Sequence, residues 1–135
     1  MQTVQFTEAV RGMSRLASEV ERGRPFVIER RGSRFFLCSV DEVEDALRCC
    51  YRFDPEVFFG DDDSVAIWLP ELDLHGEGST LEEAQADLVD AVCEYIEAWQ
   101  ESLRHAPNHA GRRGWVRRLQ LAEGEDGLRA VLFGE

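Results

Sequence analysis

Residues 76–103, GEGSTLEEAQADLVDAVCEYIEAWQESL, carry the clearest helix signal in the chain. Thr80 and Glu83 form a capping box: the Thr hydroxyl accepts an N–H of the first turn while the Glu carboxylate returns to the start of the helix. Leu81, Ala84, Leu88, Val92, Ile96, Trp99 and Leu103 then recur at spacings of three and four, the pattern of one apolar helix face. Glu82, Glu83, Asp87, Asp90, Glu94, Glu97 and Glu101 are expected on the opposite face. Pro107-Asn108 stops the helix. Gly76-x-Gly78 reads as a turn leading into the cap and is too short for a dinucleotide fingerprint.

Working upstream, Glu56–Phe59 and Ser64–Leu69 are apolar runs separated by Gly60-Asp61-Asp62-Asp63, which reads as a hairpin. Pro70 ends the second strand, and Glu71–His75 is a candidate third extended segment. The acidic triplet lacks the ligand pattern and glycine of an EF-hand loop. Further back, Gln2–Phe6 alternates as a short strand. Thr7 is the expected cap of a helix carrying Val10, Met13, Leu16, Ala17 and Val20, and Gly23 and Pro25 close it. Phe26-Val27-Ile28 and Arg34–Val40 read as strands around an Arg31-Gly32-Ser33 turn, and Asp41 as the cap of a short helix with Val43, Ala46 and Leu47. The last segment is open between two short helices, one with Trp115, Val116 and Leu119 and the other with Leu128, Val131 and Leu132, and a hairpin. The fold class expected is α+β: β-α-β-β-α over residues 1–50, β-β-(β)-α over 51–105, and a C-terminal segment over 106–135.

A formal net charge of −12 hides a strong asymmetry. Residues 1–34 carry seven Arg and four Glu, whereas residues 51–105 carry two Arg and fifteen acids. A polyanion is tolerated by the first segment and repelled by the second, while a basic protein is attracted to the second. All fifteen cations are Arg, so every phosphate contact would be made by a guanidinium, which can be bidentate. Cys38, Cys49, Cys50 and Cys93 form no C-x-x-C pattern and read as buried thiols of a reducing cytoplasm. Met1–Phe6 lacks a basic start and an apolar run, so no signal peptide is expected, and no apolar run is long enough for a membrane span. His75, His105 and His109 lack ligand spacing, so no metal site or cofactor is expected. No nucleophile and base pair stands out, and the chain reads as a non-enzyme.

The N-terminal residues Val4-x-Phe6-Thr7-Glu8-Ala9-x-Arg11, Leu16, Val20, Gly23, Pro25, Val27-Ile28, Arg31-Gly32, Leu37-x-Ser39 and Asp41 resemble the Phd/YefM antitoxin family over about residues 1–48. Gly12 departs from that pattern, since the family often has a polar residue there. Residues 53–100 resemble the HicB-like antitoxin domain through Phe53, Pro55, Val57-x-Phe59, Val65-x-Ile67, Leu69-Pro70-Glu71-Leu72 and the run Gly76-x-Gly78-Ser79-Thr80-Leu81-Glu82-Glu83-Ala84. The first resemblance implies a dimeric module that binds operator DNA. The second implies a catalytically dead domain that contacts a toxin.

Together these readings give an antitoxin that neutralises an mRNA-cleaving, RelE-like toxin and represses its own operon. The expected partners are a basic cognate toxin, operator DNA and a second copy of the chain. DNA contact is expected from Arg11 and Arg15, four apart on the first helix, and from Arg30, Arg31 and Arg34 around the turn. Toxin contact is expected from Glu83, Asp87, Asp90 and Glu94 of the long helix and from Trp115, Leu119, Leu128 and Leu132. A protein-binding adaptor without DNA binding is the alternative, followed by a small hydrolase.

Overall fold

In the computed structural model, which describes residues 1–134, the alternation at the N-terminus becomes strand β1 (Gln2–Gln5), with Val4 turned into the core. The helix that follows starts one residue before Thr7, at Phe6, and its N-cap, Gln5, makes no side-chain cap bond. It is also not continuous. Gly12, with φ −111° and ψ 22°, divides it into α1 (Phe6–Arg11) and α2 (Met13–Glu21). Gly12 accepts from Leu16 N–H and donates to the Glu8 carbonyl, so the backbone bonds survive the break. Arg22 and Gly23 close α2, with Gly23 at φ +81°.

Strand β2 (Phe26–Arg30) pairs parallel with β1 and antiparallel with β3 (Ser33–Leu37), giving the order β1-β2-β3. The register closes at Arg30 opposite Ser33, leaving Arg31 and Gly32 as a two-residue loop. Both have positive φ, 49° and 85°, as a primed type I turn requires. Helix α3 (Val40–Cys50) is capped by Ser39, whose Oγ accepts the Glu42 N–H at 3.3 Å, rather than by Asp41. It runs on past Leu47 through Cys49 and Cys50.

The chain divides into two units, Met1–Ala46 and a second from Leu47 onward. The first has a small core of Val4, Ala9, Leu16, Phe26 and Ile28, with Val20 and Leu37 packed against it. Val10 and Met13, expected on the core face, remain exposed, as do Phe35, Phe36 and Val40.

In the second unit β4 (Glu56–Phe59), β5 (Val65–Leu69) and β6 (Leu74–Gly78) form an antiparallel sheet in that order. The third strand therefore begins later than expected: Glu71–Asp73 is a turn in which Leu72 N–H bonds the Leu69 carbonyl, and Asp73 sits at φ +52°. Strand β5 alternates buried Val65, Ile67 and Leu69 with half-buried neighbours. Helix α4 (Leu81–Glu101) lies on β6 and β5. Its buried face is Ala84, Leu88, Val89, Val92, Tyr95 and Trp99. Val89 and Tyr95 thus replace the expected Leu81, which is 43% exposed, and Ile96, which is half-buried. The stripe is wide because α4 packs on a sheet and on further helices.

Those helices are α5 (Arg113–Gln120) and α6 (Gly124–Phe133), so the C-terminal segment is a pair of short helices and not a hairpin. Val116, Leu119, Leu128 and Leu132 join α4 and β5 in one core. The protein is α+β, with a small three-stranded sheet in each unit.

Candidate partner-binding surfaces

In the first unit all five arginines picked out from sequence are exposed. Arg11 ends α1 and Arg15 lies in α2, so the break at Gly12 sets them on two helices rather than one continuous face. Arg31 occupies the tip of the β2-β3 turn. The guanidinium of Arg30 stands 4.9 Å from the centre of the Phe6 ring, a cation–π contact that holds it beside α1. Arg34 faces Glu29 across the hairpin at 3.6 Å. Glu19 takes up two other arginines, Arg24 at 2.8 Å and Arg22 at 3.8 Å. The Arg24 hydrogen bond holds its carboxyl below the usual carboxylate range. Among the described residues Arg11, Arg30 and Arg31 make no ion pair, which leaves their guanidinium groups available to phosphates.

On α4 the four acids divide. Glu83 completes the capping box, its carboxylate accepting Ser79 N–H at 2.7 Å while Thr80 Oγ1 accepts Glu83 N–H at 3.1 Å. Asp87 accepts Glu77 N–H at 2.8 Å and ties β6 to the helix. Glu83 and Asp87 are thus already bonded within the fold. Asp90 and Glu94 are exposed or nearly so and make no ion pair among the described residues.

The four apolar candidates are mostly interior. Leu119 and Leu132 are 1% exposed and Leu128 is buried. Trp115 is half-buried, with its ring edge-on to Tyr51 at 5.1 Å and to Phe53 at 5.0 Å. Leu119 and Leu128 line a groove of about 420 Å³ between α4 and the C-terminal helices, beside Asp90, Cys93, Ile96 and Glu125. Partial desolvation pushes the Cys93 thiol up, and Asp90, Glu97 and Glu125 push it further. Contrary to the sequence expectation of buried thiols, Cys49, Cys50 and Cys93 are exposed, and Cys38 is half-buried.

Two further surfaces are exposed and apolar. Strand β4 is an edge strand with Val57, Phe58 and Phe59 exposed, the last at 75%. In the first unit Phe6, Val10, Met13 and Phe35 surround a mostly apolar hollow of about 290 Å³. The available signal was the lack of polar alternation in Glu56–Phe59 and in Phe35-Phe36-Leu37, which a strand with one solvated face would show.

A small domain with exposed arginines, joined to a second with an acid-lined helix, fits a binding protein. A family model described as antitoxin of toxin-antitoxin, RelE/RelB, TA system matches residues 1–133. The chain belongs to this antitoxin family, and the family implies a cognate toxin as partner. No curated protein matches it. A solved structure from Syntrophomonas wolfei subsp. wolfei, described as an antitoxin part of a supposed toxin/antitoxin system, is similar in fold. Its TM-score is 0.77 at 20% sequence identity, over 98% of this chain and 97% of that one.

Proposed function

We propose that this antitoxin neutralises an mRNA-cleaving, RelE-like toxin by stoichiometric binding, and represses its own operon as a homodimer bound to operator DNA. In this reading the first unit is the Phd/YefM-like DNA-binding and dimerisation module, and the second is a HicB-like module that contacts the toxin. The protein works without catalysis and acts in the cytoplasm.

The observation that carries the reading is the uneven charge along the chain, seven Arg against four Glu in residues 1–34 and two Arg against fifteen acids in residues 51–105. Arg11, Arg30 and Arg31 are exposed and make no ion pair among the described residues of one unit, and Asp90 and Glu94 make none in the other. A nuclease that grips RNA is basic, and an acidic surface both speeds and orients its docking. Dimerisation is supported by the small core of the first unit and by Phe35, Phe36 and Val40 left exposed around it.

The test has two arms on the full chain. Co-purification with the product of the adjacent gene should yield a complex that loosens at raised salt. A gel shift with the upstream operator should show binding that weakens steeply with salt, as phosphate contacts do. Toxin capture with no operator shift at low salt would leave a protein-binding adaptor. Failure to hold the toxin at any salt would remove the neutralisation mechanism.

A further inference from the structure

The second unit, acidic overall, also brings arginines together. Arg48 from the last turn of α3, Arg52 from the connection after it and Arg118 from α5 line a single cavity of about 550 Å³. Residues 51–105 hold only two arginines against fifteen acids, and the fold brings one of those two, Arg52, to the other guanidinium groups. Arg118 is fixed from behind: its Nη1 donates to the Tyr51 carbonyl, just past the end of α3. A guanidinium has five N–H donors, and this is the one hydrogen bond that the Arg118 side chain makes among the described residues. Asp54 lines the same cavity, yet neither Arg52 nor Arg118 forms an ion pair with it or with any other described carboxylate. Burial disfavours the charge on Arg118, and Arg48 and Arg52 disfavour it further, so the cations are close enough to repel.

We propose that this cavity binds a phosphate group, with Arg52 and Arg118 as its principal donors and Arg48 adding charge at a third corner. Like charges assembled in a half-buried hollow cost free energy, and a bound anion removes that cost. Guanidinium forks match the oxygens of a phosphate and can engage two at once. Phe53, Pro55 and Phe133 supply an apolar wall, and the volume exceeds that of a bare phosphate ion, which leaves room for a phosphoryl group carried by a larger molecule. Its source is either a nucleic-acid strand or a free small phosphate. The site is separate from the arginines of the first unit and adds an anion contact to a unit that charge alone marks as protein-binding.

Isothermal titration of the full chain with pyrophosphate tests the site. Arg52 is exposed and its side chain makes no hydrogen bond or ion pair among the described residues, so R52E should keep the melting temperature of the parent. R113E makes the same change of charge at an exposed position at the start of α5. The expected result is pyrophosphate binding that weakens about tenfold or more in R52E, the loss of at least one charge-assisted bond, and stays within about twofold in R113E. Absence of binding to the parent chain, or equal weakening in both variants, would overturn the proposal. Competition by a short oligonucleotide of mixed sequence assigns the source: displacement of pyrophosphate that is lost in R52E points to a strand, and lack of displacement to a small phosphate.

Discussion

Gly76 shows what one residue does for the second unit. A Cβ there would strike the Ala84 carbonyl and the Leu88 backbone of α4, and one at Gly78 would strike Glu83 and Ala84. These glycines let β6 lie directly on the helix, and the missing side-chain volume is what permits the close approach. Gly76→Ala should therefore lower unfolding free energy by about 1–3 kcal/mol, the usual cost of overpacking. Gly111→Ala, with open space around the added methyl, should stay within about 0.5 kcal/mol. Urea denaturation of the two variants checks the contrast. Cys93 offers a second residue-scale test. Asp90 is among the acids that raise its thiol, and the thiolate is the reactive form. Asp90→Asn should speed alkylation of Cys93 by iodoacetamide near pH ~8, read from its peptide by mass spectrometry. An unchanged rate would mean that partial desolvation, the larger cause, controls the thiol alone.

Elements differ in how much of their apolar surface the chain itself covers. Helix α4 buries six residues, whereas α3 buries none in spite of apolar positions at Val40, Val43 and Leu47. Strand β3 carries exposed phenylalanines on both faces: Phe35 lies opposite buried Ile28, and Phe36 opposite half-buried Val27. Apolar surface at this density on so small a unit supports the proposed dimer. Phe36→Glu places a charge on that surface without entering the core, since Phe36 is 58% exposed. Light scattering should then report a dimer for the parent and a monomer for the variant at micromolar concentration. A parent chain that scatters as a monomer would remove dimerisation from the proposed function.

At the scale of the whole molecule, residues 1–34 carry an excess of arginine while residues 51–105 are strongly acidic, and the partners proposed for the two units differ accordingly. Arg11→Ala removes a cation that makes no ion pair among the described residues, so folding stability should change by no more than about 0.5 kcal/mol. Operator affinity should fall, and the slope of log affinity against log salt should drop by about one for each phosphate no longer neutralised. The same variant should hold the toxin as tightly as the parent. Loss of toxin binding in Arg11→Ala, with operator binding intact, would reverse the proposed roles of the two units.

Local chemistry determined much of this protein. The capping box at Thr80 and Glu83, the hairpin of Glu56–Phe59 with Val65–Leu69, the Arg31-Gly32 turn and the β-α-β-β-α order are set by neighbours in sequence, through caps, turn residues and period. Distribution of charge between the two halves was equally plain, because it is a property of composition. Tertiary structure decided the rest. Whether Leu128 or Phe59 is a contact residue depends on what covers it, and both are apolar in sequence. Leu128 is sealed in the core that α4 shares, while Phe59 lies on a strand with one neighbour. The break at Gly12 set Arg11 and Arg15 on separate helices, and Glu83 and Asp87 were drawn into bonds inside the fold. Arg48 and Arg52 are distant in sequence from Arg118 and form no motif with it. They meet because α5 packs back against the segment that follows α3, where Trp115 rests on Tyr51 and Phe53. Convergence of that kind is set by packing between remote segments, and neither period nor composition encodes it.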